Sequence, residues 1–389
     1  MRNQKSKIKN HLHHAAWIIV DAETIIQNGY LLTEDGQIKG VYTSKPKDAP
    51  QTYTDHGPGV IMPPLVNAHL HLELSALKNK VAMDQGFQVW VADLLEKRQA
   101  LGEDALKQGA KQAIVELQAL GNLYIGEIST LGLAKDILEH SELCGMFFQE
   151  YLGTAAPETL DIQHSSALSK TVAGHAPHTT APEVLKRLKQ QSLAQKLPFS
   201  IHLAESEAEI EFIHKKKGDW AVFLTSRGIN YKTWEIGSVS PVAYLKKLGV
   251  LDRLTLAVHL LHITENDLKI IKDSGTKVCV CPKSNLNIHK KLPDIEKMIK
   301  KGLKPALGTD SLASNNSLDI RDEMAFVAEN YPNLKPEKIF SMATLYGAKA
   351  LGLENITGTL NTGKKADFIY LPIQAEDEKQ LLEKIVFNR

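Results

Sequence analysis

The stretch Asn67-Ala68-His69-Leu70-His71-Leu72-Glu73-Leu74 follows the apolar run Val60-Ile61-Met62-Pro63-Pro64-Leu65-Val66, and its centre is a His-x-His pair. Side chains alternate faces along a strand, so imidazoles two apart point the same way and can hold one metal ion between them. Alone, such a pair is more often incidental, because histidine is common in half-buried positions. The residues downstream change that. His202-Leu203-Ala204-Glu205, Val258-His259 and Gly308-Thr309-Asp310 each end an apolar run with groups that can ligate or carry a proton. His69, His71, His202 and Asp310 offer three neutral nitrogens and one carboxylate, a set suited to Zn²⁺ or Fe²⁺ with a position left for water. A divalent ion there lowers the pKa of its water towards neutrality and creates a nucleophile. Glu205, three residues past His202, can lean over the ion without binding it, as a proton shuttle. His259 can orient the nucleophile or steady a developing oxyanion, and Asp310 can also accept the proton of the attacking water.

For these groups to meet, the strands that carry them must end at one place. Apolar β-like runs recur at Val60 to His71, Leu123 to Ser129, Cys144 to Leu152, Thr171 to His178, Phe199 to Glu205, Thr255 to Ile263, Lys277 to Ser284 and Lys304 to Asp310. The segments between them, such as Gln88 to Leu101, Asp104 to Leu120, Ala181 to Ala194 and Glu265 to Ser274, carry helical apolar spacing. Eight strand-then-helix units predict an α/β fold, a (β/α)8 TIM-like barrel, whose chemistry sits where the strands finish. Glu127, Gln149, Glu150, His175, His178 and His262 also fall at or near strand ends and are expected around the same mouth.

Short β runs at Ala15 to Val20, Tyr30 to Leu32 and Ile38 to Tyr42, with Asp35-Gly36 as a turn, return near the other end as Gly358 to Leu360 and Asp367 to Leu371. The two chain ends are therefore expected to pair into one small β-sheet domain. Residues 1–59 form its N-terminal part, 60–352 the barrel and 353–389 its C-terminal part, a sheet expected to be reduced because the chain stops at Arg389. His11, His13 and His14 precede the first run and read as a solvated tract in a mobile leader.

Composition excludes several classes. With 46 Lys+Arg against 45 Asp+Glu the formal charge is +1, so no global field favours nucleic acid or an anionic membrane. No run reaches membrane-spanning length, and Met1 to Asn10 has no apolar stretch behind it, so a cytoplasmic location is expected. The three cysteines are too few for a disulfide framework; Cys279 and Cys281 share a strand face and read as small buried hydrophobes.

Taken in order, His69-x-His71, His202-x-x-Glu205, Ala257-Val258-His259-Leu260-Leu261-His262, Cys281-Pro282-Lys283-Ser284-Asn285 and Leu307-Gly308-Thr309-Asp310-Ser311 resemble the amidohydrolase superfamily. The match is to its cytosine deaminase-like, mononuclear branch, and there to purine aminohydrolases acting on S-adenosylhomocysteine, methylthioadenosine or 6-aminodeoxyfutalosine. Asn67 to Ser75, with Gly86-Phe87-Gln88-Val89-Trp90 and Arg98 downstream, carries the last likeness. The resemblance implies one divalent ion on His69, His71, His202 and Asp310, Glu205 as the group that protonates the ring nitrogen, and His259 as partner of the metal's water. It also implies substrate contacts from His178, near the sugar, and from Trp90 and Arg98; for Trp90, packing on the barrel is the bland alternative. A carboxylated lysine bridging two metals would have to end the fourth strand, where His175 and His178 stand instead, so one ion is expected. Ser311 and Leu312 follow Asp310 where relatives often have Gly, which alters contacts near the leaving group.

The expected activity is deamination of a purine nucleoside-like heterocycle, a small-molecule substrate, with a homodimer expected by analogy. Chloride or an alkylamine could leave by the same route, so guanine-, triazine- or chloro-hydrolysis stays open. A catalytically silent barrel scaffold should have lost ligands or the acid, and this chain keeps all of them. An Fe(II) oxygenase using two histidines and a carboxylate is disfavoured by the third histidine and by Glu205.

Overall fold

Pro63-Pro64 produces the first departure from the expected strands. A proline lacks the N–H that a sheet ladder needs, and the run expected as one strand from Val60 to His71 is two strands in two different sheets. The computed structural model describes residues 10–387. In chain order the strands are β1 (Asn10–Asp21), β2 (Thr24–Glu34), β3 (Gln37–Tyr42), β4 (Tyr53–Asp55), β5 (Val60–Met62), β6 (Val66–Leu70), β7 (Tyr124–Ser129) and β8 (Cys144–Tyr151). They continue as β9 (Leu168–Gly174), β10 (Phe199–Leu203), β11 (Thr255–His259), β12 (Lys277–Val280), β13 (Ala306–Leu307) and β14 (Ile369–Leu371).

Strands β6 to β13 lie side by side in sequence order, all parallel, as the barrel expectation requires. Parallel strands covered by helices are apolar on both faces, and every residue of β6, β7, β10 and β11 is buried. The circle closes where the N–H groups of Thr309 and Asp310 both donate to the His69 carbonyl at 3.1 Å. That closure carries the last predicted ligand to the first.

The small sheet runs β14-β5-β1-β2-β3, with β4 also on β1, so the two chain ends do share one sheet. Ile369, Tyr370 and Leu371 pair antiparallel with Met62, Ile61 and Val60. The histidine tract differs from its expectation: His11, His13 and His14 sit on β1. His13 is buried, stacks on His11 with ring centroids 4.1 Å apart and bonds His56 at 3.1 Å. Pairing with β2, His11 with Thr33, His13 with Leu31 and His14 with Tyr30, makes a strand of what polarity alone suggested was loop. The last helix, Glu378–Val386, buries Leu381, Leu382, Ile385 and Val386 in the same core cluster as Ile320, Met324 and Phe340 of the barrel's outer helices. Among the described residues no helix is long and apolar enough to cross a membrane.

The expected pair Gln88 to Leu101 and Asp104 to Leu120 is realised as Phe87–Ala119, broken at Gly102, whose φ of 73° and ψ of 168° are not helical. Its first half lies across the barrel mouth and supplies Phe87, Trp90, Val91, Leu94 and Arg98 to the cavity there.

Candidate active site

His69 and His71 end β6 and its following turn, and their rings lie 4.9 Å apart. The turn is held from below by Glu127, whose two carboxylate oxygens accept the Leu72 N–H at 3.2 and 2.9 Å. Burial drives the Glu127 pKa well up, and the side chain supports the turn instead of joining the mouth. His202, ending β10, brings its ring to 5.0 Å from His69 and 5.5 Å from His71. Its Nδ1 donates to the His175 carbonyl at 2.8 Å, which leaves Nε2 free to ligate. Asp310 has a left-handed backbone, φ 59°, that turns its carboxylate inward. Oδ1 lies 3.5 Å from His71 Nε2 and 3.9 Å from His69 Nε2. Oδ2 accepts from Ser284 Oγ at 2.6 Å and Ser314 Oγ at 2.9 Å.

Two groups of donors, His69–His71–Asp310 and His69–His202–His259, each have ligand atoms within 4.8 Å of one another, and His69 is common to both. A zinc ion takes such donors at about 2.0–2.2 Å, so small ring rotations suffice. Both ring nitrogens of His69 are buried without a hydrogen-bond partner, a cost that ligation would remove. Burial, then the neighbouring imidazoles, hold the His69 pKa well below its usual value, so the ring is neutral and ready to ligate. The residues therefore fit one divalent ion. Glu150, His175 and His202 form a third such group, but His202 Nδ1 is already committed to the His175 carbonyl.

Ser284 is the outer partner that sequence reasoning quoted without a role. Partners of this kind hold a ligand's orientation, and their loss typically costs roughly 10- to 100-fold in metal affinity. Ser284→Ala should weaken divalent-metal binding by about that factor, read by competition with a chromophoric chelator; unchanged affinity would leave Ser314 as the sole support of Oδ2.

Beside the donors stands Glu205. Its backbone is pinned by Glu209, whose carboxylate accepts the N–H groups of Ala204 at 2.9 Å and Glu205 at 2.8 Å. Ser206-Glu207-Ala208-Glu209 has the helix-start pattern, with Ser206 Oγ capping Glu209 N. Burial pushes Glu209 up to about 8. For Glu205 itself burial acts upwards, but His259 and His289 outweigh it and the net direction is down. His259 Nε2 lies 3.7 Å from Glu205 Oε1. Its Nδ1 receives the Asn285 amide N–H at 3.1 Å, which leaves the proton on Nε2, facing the site. Positive φ at His259, 76°, and Leu260, 51°, makes the kink that aims the ring.

These groups form the floor of a cavity of about 190 Å³. His178 lines it, 2% exposed, with its ring 4.2 Å from Trp220. Trp90 lines it too, and its indole N–H donates to the Ala313 carbonyl at 3.0 Å, so the packing and cavity roles coincide. Arg98 lies on the same wall. Of the other strand-end residues, Glu150 and His175 reach the cavity. Gln149 instead bonds the Ser129 and Thr130 carbonyls, and His262 turns outward to Lys291.

With that geometry in hand, the sequence profile of the Amidohydrolase family matches residues 60–388. The chain belongs to the amidohydrolase family. A 5-methylthioadenosine/S-adenosylhomocysteine deaminase of Moorella thermoacetica is 30% identical over 348 residues, covering 83% of this chain and 76% of that one. Aminofutalosine deaminase of Helicobacter pylori, solved with methylthio-coformycin, superposes with a TM-score of 0.84 at 23% identity, covering 97% of this chain and 96% of that one. An adenosine deaminase of Xanthomonas campestris with bound zinc gives 0.77 at 21% identity, covering 97% and 88%. The last two establish likeness of fold. The expectation of an amidohydrolase barrel is met.

Proposed function

We propose that this amidohydrolase is a mononuclear, zinc-dependent deaminase of adenosine-type nucleosides. The observation that carries the reading is the Glu205 side chain beside three imidazoles and Asp310, at the floor of an aromatic cavity. The Moorella relative, named as a deaminase of such nucleosides, supports the substrate class, and the zinc of the Xanthomonas neighbour supports the ion. His69, His71, His202 and Asp310 would hold it. When bound, the ion supplies Lewis acidity and a more acidic water.

The chain's own residues do the rest. The Glu205 carboxylate, held ionised, accepts a proton from the attacking water and delivers it to the ring nitrogen beside the attacked carbon. Asp310 Oδ1 takes the second proton and passes it to the departing amino group, so water and the amine give a carbonyl and ammonia. His259 Nε2–H points where negative charge develops on oxygen. Phe87, Trp90 and Trp220 supply flat apolar walls for a purine, and His178 has unpaired ring nitrogens for a sugar hydroxyl.

Purified, zinc-loaded protein should release one ammonia per 5′-methylthioadenosine or 5′-deoxyadenosine consumed, with the adenine absorbance shifting to that of hypoxanthine. No ammonia from any adenosine derivative, with metal content confirmed, would refute the reading.

A further inference from the structure

His289 ends the helix Pro282–His289 that follows β12, and the chemistry assigned above does not use it. Yet its Nε2 is 3.1 Å from Glu205 Oε1, and its side chain is only 6% exposed. The pair spans 84 residues, so the contact is tertiary and not a by-product of local structure. The imidazole is itself held: Phe87, at the start of the helix across the barrel mouth, packs a ring 4.7 Å from it. Phe87 lies on the cavity wall, whereas His289 does not; it lines a separate outer groove with Asp84, Gln88 and Glu207. His289 thus stands behind Glu205, between the reaction cavity and that groove.

We propose that His289 is a positioning residue for Glu205: its Nε2–H holds Oε1 and so fixes the orientation of the carboxylate beside the site-facing nitrogen of His259. The inference rests on the deaminase reading for its kinetic consequence, though not for the contact. Glu209 pins the backbone of Glu205 but does not touch its carboxylate, so the two supports divide the work. Without the tie, the carboxylate can rotate about bonds that Glu209 leaves free, and a proton carrier displaced by about an ångström loses much of its effect. Phe87 makes the arrangement sensitive to what fills the cavity, because the ring that meets a bound nucleoside on one side steadies His289 on the other.

The test compares zinc-loaded wild type, His289→Leu and His289→Gln by steady-state ammonia release and by crystal structure. Leucine fills the space without a donor. Glutamine can restore a donor to Oε1. His289→Leu should lower kcat by up to about 100-fold, the cost of misplacing a reacting group by about an ångström, with KM within about 2-fold. His289→Gln should recover most of it, and zinc content should equal wild type in both. In the crystals, Glu205 should leave its position in the leucine variant and keep it in the glutamine variant. The proposal falls if Glu205 stays in place in His289→Leu, if that variant keeps wild-type kcat, or if both variants are equally impaired. A wild type that releases no ammonia would refute the deaminase reading alone, because the Glu205 position in the two variants still decides the contact.

Discussion

Glu205→Gln should lower kcat by roughly 10²- to 10⁴-fold, the range for loss of a proton carrier, while the purified variant keeps its zinc. Glutamine is nearly isosteric. Its amide oxygen can still receive the His289 N–H, and the Glu209 bonds that pin the backbone are untouched. Glu205 belongs to none of the ligand groups, so metal retention follows from geometry. What glutamine cannot do is take a proton from water and give it to a ring nitrogen. His259 and His289 outweigh burial and hold the Glu205 pKa down, which favours the accepting carboxylate form. KM should move by no more than a few-fold, since a transition-state interaction is lost and not a uniform one. Metal analysis beside the kinetics decides the matter: loss of zinc in this variant would make Glu205 a ligand, and wild-type turnover would remove the shuttle altogether.

Why Glu205 could be read from the chain and His289 could not is a matter of distance along it. His69, His71, His202, Glu205, His259 and Asp310 are strand-end residues, and in a barrel the end of an apolar run is itself a spatial coordinate. Asn285, Ser284, Ser314 and His289 come from helices and loops beyond the strands, and their contacts depend on how those segments fold back. The motif Cys281-Pro282-Lys283-Ser284-Asn285 was visible, but nothing in its spacing says that Ser284 meets Asp310 or that Asn285 meets His259. His262 marks the opposite failure. Counting along an ideal strand keeps it near the mouth, but the positive φ at His259 and Leu260 redirects the chain, and it ends against Lys291. Likewise Pro63-Pro64 divides an apolar run that hydropathy alone reads as continuous.

Removing the metal should abolish activity, and it should also lower the stability of a fold that its buried histidines already make acid-sensitive. Dialysis against a chelator at neutral pH is expected to bring ammonia release below detection, with full return on one equivalent of Zn²⁺ and none in His69→Ala. The stability effect follows from burial. His69 and His178 have pKa values well below the usual 6.5, chiefly through desolvation, and His175 is lowered to about 4 for the same leading reason. Below about pH 6.5 the unfolded chain binds protons at these positions while the folded one does not, so stability rises with pH. It is complete above that value and is lost on acidification towards pH 4, at about 1.4 kcal/mol per pH unit for each such histidine. A divalent ion that binds only the folded form would oppose this, adding about 4 kcal/mol when free metal is 1,000 times its Kd. Thermal unfolding of metal-free and zinc-loaded protein from pH 7.5 to 5 should therefore give two curves that both fall, the metal-free one from a lower start. A metal-free protein as active as the loaded one, or one whose stability stays flat across that range, would contradict a neutral buried imidazole cluster built to hold a cation.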